Sequence, residues 1–367
     1  MTTFTLRTAT ATASLVLAIT GCHHDAPSQG TGNIIDGEDA SAATYDAIGT
    51  IGTWNKGEDY QFYCTATLIA PHAVITAKHC AVNAYDPSSH LIEKERVYFA
   101  LGADATEPTR VVEAASVLLS PVADGGLLGL GSDVAIYMLT EAIGEVEPAK
   151  VRLEPFTADD VGSEVLAVGF GVQDADMTAG TRHKGVLEVI AIEGQPLHAM
   201  YGTLNVFLDY VAQDADTAFV DDHLDSLAAF YDTTLLPEYE LWVHGRAQPC
   251  HGDSGGPLLV GSEDAAPAIG AVVSGGMSGV SKPCIAGEAY ATFGPENLPM
   301  IETAIADPCA GLPEEGRCLG NTAVRCSSPE EGERHMVVTD CTELPTIGGF
   351  AQRCRTTEGV AACGALF

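Results

Sequence analysis

The chain has 367 residues and a formal net charge of −33, which excludes the basic face that nucleic-acid binding requires. Charged residues make up only 18% and hydrophobic residues 46%, so disorder of the whole chain is excluded and there is material for one large domain or two unequal ones. The acidic balance favours solubility and draws basic substrates more than acidic ones.

Residues 2–20 carry one charge, Arg7, followed by an apolar run over 13–19. That run is too short to span a bilayer and has the size of a signal-peptide core. Ile19-Thr20-Gly21-Cys22 resembles a bacterial lipobox, in which the cysteine becomes the lipid-modified first residue of the mature chain. The alternative is an ordinary secretory signal with a chance cysteine. Small residues just before Cys22 favour the lipoprotein, with a signal peptide at 1–21 and a membrane anchor of several acyl chains. Either reading exports the chain to an oxidising compartment. Residues 22–33 then form a tether or propeptide, Pro/Ser/Gly/Gln-rich over 26–32.

From residue 34 to about 295 the sequence reads as many short strands, with clear runs at 62–70, 96–101, 134–139, 164–170, 186–192, 204–211 and 268–274. Gly (39) and Pro (19) are frequent enough to punctuate them, and the spacing predicts an antiparallel sandwich or barrel. Residues 214–240 are acidic and less regular, and could carry helix in an inserted surface segment. A short terminal helix is predicted over 297–306, ending before Pro308. Asp174-Ala175-Asp176 does not continue into a calcium loop, because the required Gly and terminal Glu are out of place.

The eleven cysteines fall into three groups. Cys22 stands alone. Cys64, Cys80, Cys250 and Cys284 are spread over the middle of the chain, and Cys309, Cys318, Cys326, Cys341, Cys354 and Cys363 crowd into the tail. If Cys22 is lipidated, the others pair without remainder. No CxxC pair occurs and export favours disulfides, so no metal or cofactor is expected. The tail, 307–367, reads as a separate disulfide-rich unit, a spacer or binding module, whose three bridges could connect in fifteen ways.

Three segments carry chemistry. Cys250-His251-Gly252-Asp253-Ser254-Gly255-Gly256-Pro257 sets a serine among glycines. A serine hydroxyl needs a base to become a nucleophile and backbone donors around the developing oxyanion, and flanking glycines let the main chain turn tightly around both. Val74-Ile75-Thr76-Ala77-Lys78-His79-Cys80 places a histidine after an apolar strand. Ser132-Asp133-Val134-Ala135-Ile136-Tyr137-Met138-Leu139 places an aspartate before another, with Asp124 as a competitor.

In the order His, Asp, Ser, these segments resemble the chymotrypsin/trypsin-like serine proteases over residues 34 to about 306. The resemblance implies two Greek-key six-stranded antiparallel β-barrels with a short C-terminal helix, here a domain at 34–306 followed by the small disulfide-rich one. It implies Ser254 as nucleophile, His79 as base, Asp133 as the orienting carboxylate, and the N–H groups of Gly252 and Ser254 as the oxyanion hole. It also implies bridges Cys64–Cys80 and Cys250–Cys284, and a substrate-pairing segment at Ser274, Gly275 and Gly276. Ile34-Ile35-Asp36-Gly37 resembles the new N-terminus freed in zymogen activation, its α-amino group pairing with Asp253. Alternatively, Ile34 simply begins the first strand.

Departures from the family pattern matter. Gln248 stands where trypsins place the aspartate that binds basic side chains, whereas Glu288 falls on the far pocket wall. Pointing inward it would favour Lys or Arg; a slip of one residue would put it in solvent. Gly275 replaces a tryptophan, which would open the cleft, and Lys78 replaces a small residue beside His79, where it could lower the histidine pKa or point outward. Asn33 precedes Ile34 where many zymogens carry Lys or Arg. The leading expectation is a secreted, monomeric serine endopeptidase acting on protein or peptide substrates. The competing one is a catalytically silent protease-fold lipoprotein that serves as a surface binding module.

Overall fold

The computed structural model describes residues 34–35, 37–54, 60–83, 86–93, 95–174, 176–215, 217–261, 267–280, 282–327, 334–348, 350–357 and 360–365. The expected signal peptide, tether and lipidated Cys22 lie outside the described residues, as do Asn33 and Asp36.

Six strands form the first barrel: β1 (Ile48–Trp54), β2 (Tyr60–Ala70), β3 (Ala73–Thr76), β4 (Val97–Leu101), β5 (Arg110–Leu119) and β6 (Ala135–Leu139). They close antiparallel in the order β1-β2-β3-β6-β5-β4. The second barrel is built from β7 (Glu164–Gly169), β8 (His183–Ala191), β9 (Glu240–His244), β10 (Pro257–Val260), β11 (Ala268–Met277) and β12 (Ile285–Thr292). Its order, β7-β8-β9-β12-β11-β10, repeats that of the first, and the β10–β7 pair closes the ring. The fold is all-β, with two Greek-key barrels.

Strand periodicity explains why these sequences close. Successive side chains point to opposite faces, so a strand at the seam of two barrels must be apolar on both. On β6, Ala135, Tyr137 and Leu139 fill the first barrel, while Ile136 and Met138 face the second across a shared core. On β7, Val165 and Ala167 point into the second barrel and Leu166 and Val168 into the seam. The terminal helix α5 (Leu298–Ala306) adds Ile301 and Ala304 to that seam. Arg182, 1% exposed, fastens the leading segment from behind, its guanidinium donating to the carbonyls of Ala40, Tyr45 and Ile48 and to Asp46.

Between β8 and β9 stands an insert of four short helices, α1 (Pro196–Tyr201), α2 (Leu204–Val211), α3 (Thr217–Asp222) and α4 (Leu224–Tyr231). The expected strand at 204–211 is therefore a helix. Thr203 caps it through the amide of Val206, and its apolar residues recur at helical spacing, so that Phe207 and Val211 share one buried face. That face joins Leu197, Leu227, Phe230, Tyr231 and Trp242 in a core of its own.

The tail contains β13 (Arg317–Leu319), β14 (Thr322–Cys326) and β15 (Met336–Asp340) in one sheet, and a hairpin of β16 (Gln352–Thr357) and β17 (Val360–Ala365). Its bridges are Cys309–Cys326, Cys318–Cys354 and Cys341–Cys363, one of the fifteen possible connectivities. The tail packs on the outside of β5. Leu319 and Val324 cover Ala115, and Ser116 Oγ donates to the carbonyl of Ala310 at 2.7 Å.

Candidate active site

His79 and Asp133 come from the first barrel, and Ser254 from the loop that leads into β10 of the second. A short 3-10 turn at Lys78–Cys80 follows β3 and presents the imidazole, and the Cys64–Cys80 bridge pins that turn to β2. The backbone N–H of His79 donates to Asp133 Oδ1 at 2.8 Å, and His79 Nδ1 lies 2.7 Å from Oδ2. Asp133 is 1% exposed. Its Oδ2 accepts a third bond from Ser274 Oγ at 2.7 Å, across the seam from β11. Asp124, the competing acid, is exposed.

Burial alone would raise the Asp133 carboxyl, but the His79 charge and the hydrogen bonds from His79 and Ser274 outweigh it and hold the group below its ordinary value. Burial likewise works against a charged His79, and the adjacent carboxylate prevails, raising the imidazole above 6.5. An ionised Asp133 can only accept, so Nδ1 carries the proton and the lone pair of a neutral His79 is left at Nε2.

Lys78 takes neither predicted role. It is 8% exposed, and its Nζ donates to the carbonyls of Val122 and Leu130 at 3.0 and 2.8 Å. The ammonium thus fastens the loop that delivers Asp133. Glu240 holds the same loop from the other side, accepting from the amides of Leu127 and Leu236 at 2.7 and 2.8 Å. Asn297 Nδ2 donates to Ser132 Oγ at 2.7 Å.

The loop bearing Ser254 is set by its glycines and by Thr65. Gly252 has φ +95° and Gly255 φ +77°, both in the left-handed region that glycine adopts without strain. A Cβ on Gly255 would overlap Thr76 Oγ1 and come within 2.7 Å of the Ala77 nitrogen, so only glycine lets the serine loop lie this close to the strand that ends at His79. Thr65, on β2, donates its amide to the Ser254 carbonyl at 2.9 Å and its Oγ1 to the Gly252 carbonyl at 2.8 Å. The amide of Gly255 donates to the carbonyl of Val273, the residue before Ser274. Nothing in the sequence pattern singled out Thr65, Glu240 or Asn297, because each acts through a partner more than fifty residues away.

Asp253 is buried. Its two oxygens accept from the amides of Cys250 and Gly171, each at 2.8 Å. Burial pushes its carboxyl up to about 7 despite those bonds. Ile34 is 1% exposed and packs inside the second barrel with Val165, Leu187 and Val243, while Ile35 bridges to Gln248. The first residue of the predicted activation segment is therefore a core residue of the second barrel.

The pocket candidates separate. Gln248 is nearly buried, and its Nε2 donates to the Gly245 carbonyl at 2.8 Å. Glu288 is 4% exposed and lies against Gly276, where a Cβ would overlap its Oε2. That oxygen has no partner among the described residues, and burial together with the charge of Asp253 raises the carboxyl well above its ordinary value. Glu288 therefore points inward rather than into solvent. At Gly275 the cleft is not simply opened, since Leu128 Cδ2 lies 3.4 Å from where a Cβ would stand. The Cys250–Cys284 bridge joins the serine loop to the segment before β12.

Two groups bring Cys and His ligand atoms within 4.8 Å of one another, Cys64, His79 and Cys80, and Cys250, His251 and Cys284. In both, the cysteines are bonded to each other and have no thiolate to offer a metal. The arrangement suits acyl transfer by a base-activated hydroxyl. Residues 34–293 match the trypsin family model.

Proposed function

The chain belongs to the trypsin family of serine proteases, and from that premise we propose that it is an exported endopeptidase working through an acyl-enzyme. Ser254 Oγ attacks the scissile carbonyl as His79 Nε2 takes its proton. The imidazolium so formed is stabilised by Asp133, and passes its proton to the leaving amine. The N–H groups of Gly252 and Ser254 receive the developing oxyanion. Water then repeats the sequence on the ester and frees Ser254. The observation that carries this reading is the orientation of His79, bonded twice to a buried carboxylate that Ser274 holds from the opposite barrel.

Cleavage before Ile34 is the proposed activating step. A free α-amino group there would supply the positive partner that the buried Asp253 lacks among the described ion pairs. With Cys22 lipidated, the same cut would release the protease from its membrane anchor. The inward Glu288, whose Oε2 has no partner among the described residues, supports a preference for Lys or Arg before the scissile bond, because a cationic side chain would complete a buried carboxylate.

The test is labelling with a fluorophosphonate and turnover of casein, on chains cut before Ile34, comparing wild type with Ser254→Ala. Loss of the nucleophile should lower turnover about a million-fold. A wild type that neither labels nor cleaves would favour the silent binding scaffold. Glu288→Gln should reduce kcat/KM for Lys and Arg substrates roughly 10- to 100-fold relative to neutral ones; unchanged selectivity would remove the proposed role of Glu288.

A further inference from the structure

The helical insert between β8 and β9 is not an ornament on the surface, because it makes specific bonds to the segment that joins β11 to β12. Asp214, just past the end of α2, accepts from two amides of that segment. Its Oδ1 receives the N–H of Lys282 at 2.8 Å and its Oδ2 that of Val280 at 2.5 Å. Tyr210, on α2, accepts from the amide of Ala286 at 3.3 Å. Ala286 has φ +68°, a left-handed conformation that a residue with a Cβ adopts only when its surroundings impose it. The insert supplies those surroundings, since Met277, Ile285, Ala286 and Ala289 share its apolar core with Phe207 and Val211.

The braced segment is also tied to the serine loop. Cys284 is bonded to Cys250, four residues before Ser254, and Ser278 Oγ lies 3.3 Å from His251 Nε2. Glu288, two residues beyond Ala286, lies against Gly276. A chain of contacts therefore runs from the insert, through 278–280 and 282–286, to the flank of the proposed pocket.

We propose that Asp214 is a positioning residue for substrate recognition, through which the helical insert fixes a wall of the cleft at Val280 and Lys282. The inference rests on the protease reading above. A carboxylate that accepts two consecutive-turn amides sets the course of that wall as no apolar contact would, since it fixes direction as well as distance. Loosening it should weaken the fit of an extended peptide more than it weakens attack by Ser254, whose own supports are Thr65, Gly252 and Val273.

The experiment uses the full chain cut before Ile34, as wild type, Asp214→Ala, Asp214→Asn and Tyr210→Phe. Hydrogen exchange over 278–286 is read beside KM and kcat for a panel of peptides and the rate of fluorophosphonate labelling. Asp214→Ala should speed exchange at Val280 and Lys282 and raise KM about tenfold, losing more in kcat/KM for peptides than in labelling. Asp214→Asn keeps one carbonyl acceptor and should recover part of the loss. Tyr210→Phe should speed exchange at Ala286. Unchanged exchange and KM in Asp214→Ala would overturn the inference, as would a parallel fall of KM fit, kcat, labelling and melting temperature without rescue by Asn. A wild type that never labels or cleaves, with exchange still responding to Asp214→Ala, would instead sink the protease reading and the recognition role with it.

Discussion

Thr65 Oγ1 donates to the Gly252 carbonyl at 2.8 Å, so one hydroxyl from the first barrel orients the peptide unit that precedes Asp253 in the second. The same oxygen accepts from the amide of Phe170 at 3.2 Å. Thr65→Val keeps the shape and removes both bonds, leaving two polar groups unpaired near the seam. We expect a loss of about 1–3 kcal/mol in stability. The fluorophosphonate labelling rate should fall further than the stability loss accounts for, because the proposed oxyanion donors would lose their alignment. Denaturant melts and labelling kinetics on one preparation check both.

Acylation should follow the protonation of His79. The folded imidazole lies above 6.5, and on the proposed mechanism only its neutral form accepts the serine proton, so activity should rise with pH through a midpoint above that value. The ion pair behaves oppositely: its contribution to stability is present at low pH, once Asp133 is ionised, and fades as pH rises through the His79 midpoint. Asp133→Asn should lower kcat about 10⁴-fold and move the residual midpoint down. A pH–rate profile of both proteins is the measurement.

Asp253 gives the uncut chain a pH-dependent weakness. Its carboxyl is raised from 3.8 to about 7, so the stability linked to its neutral form is complete below the first value and lost as pH climbs through the second. Unfolding of the uncut protein should become easier over that window, and Asp253→Asn should flatten the slope. After cleavage before Ile34 the α-amino group should favour the ionised form and flatten it too. Thermal melts of cut and uncut chains across the window decide.

The tail should stabilise the first barrel. Val324 is fully buried where β14 meets β5, beside Ala115 and Leu319. Val324→Asp would bury a lone carboxylate at a cost of roughly 2–5 kcal/mol. Limited proteolysis should then cut within 309–326 sooner than in wild type, and the melting midpoint of the barrels should fall with it. An unchanged midpoint would mean that the tail rides on β5 without supporting it.

The segments around Ser254 and His79 stand out in the sequence because the demands on their glycines and on the histidine are local. Gly255 must be glycine to lie against Thr76, and that requirement is written into the octapeptide around Ser254. What was not legible is what holds the loops from a distance. Lys78 reads as a charge beside His79, yet the carbonyls it meets lie more than forty residues on. The run at 204–211 reads as a strand because most of its residues are apolar, and becomes a helix because Phe207 and Val211 find a common partner in Trp242 and Phe230. Short apolar runs fit either period until tertiary contacts choose. β12 is buried along its whole length and still is not among the clear strand runs, since its Gly, Glu and Thr dilute the apolar signal. Leu128 comes up against Gly275, a neighbourhood between positions too far apart in sequence to be paired by inspection.

The two barrels share one strand order and meet on a common apolar face, with the imidazole and its carboxylate on one side and the alcohol on the other. Neither half holds all three of the proposed reacting groups. On the proposed mechanism, a small slip of one barrel against its twin would therefore abolish turnover while each half kept its own hydrophobic interior, so turnover would report the integrity of the joint between the barrels more sensitively than any probe of either interior.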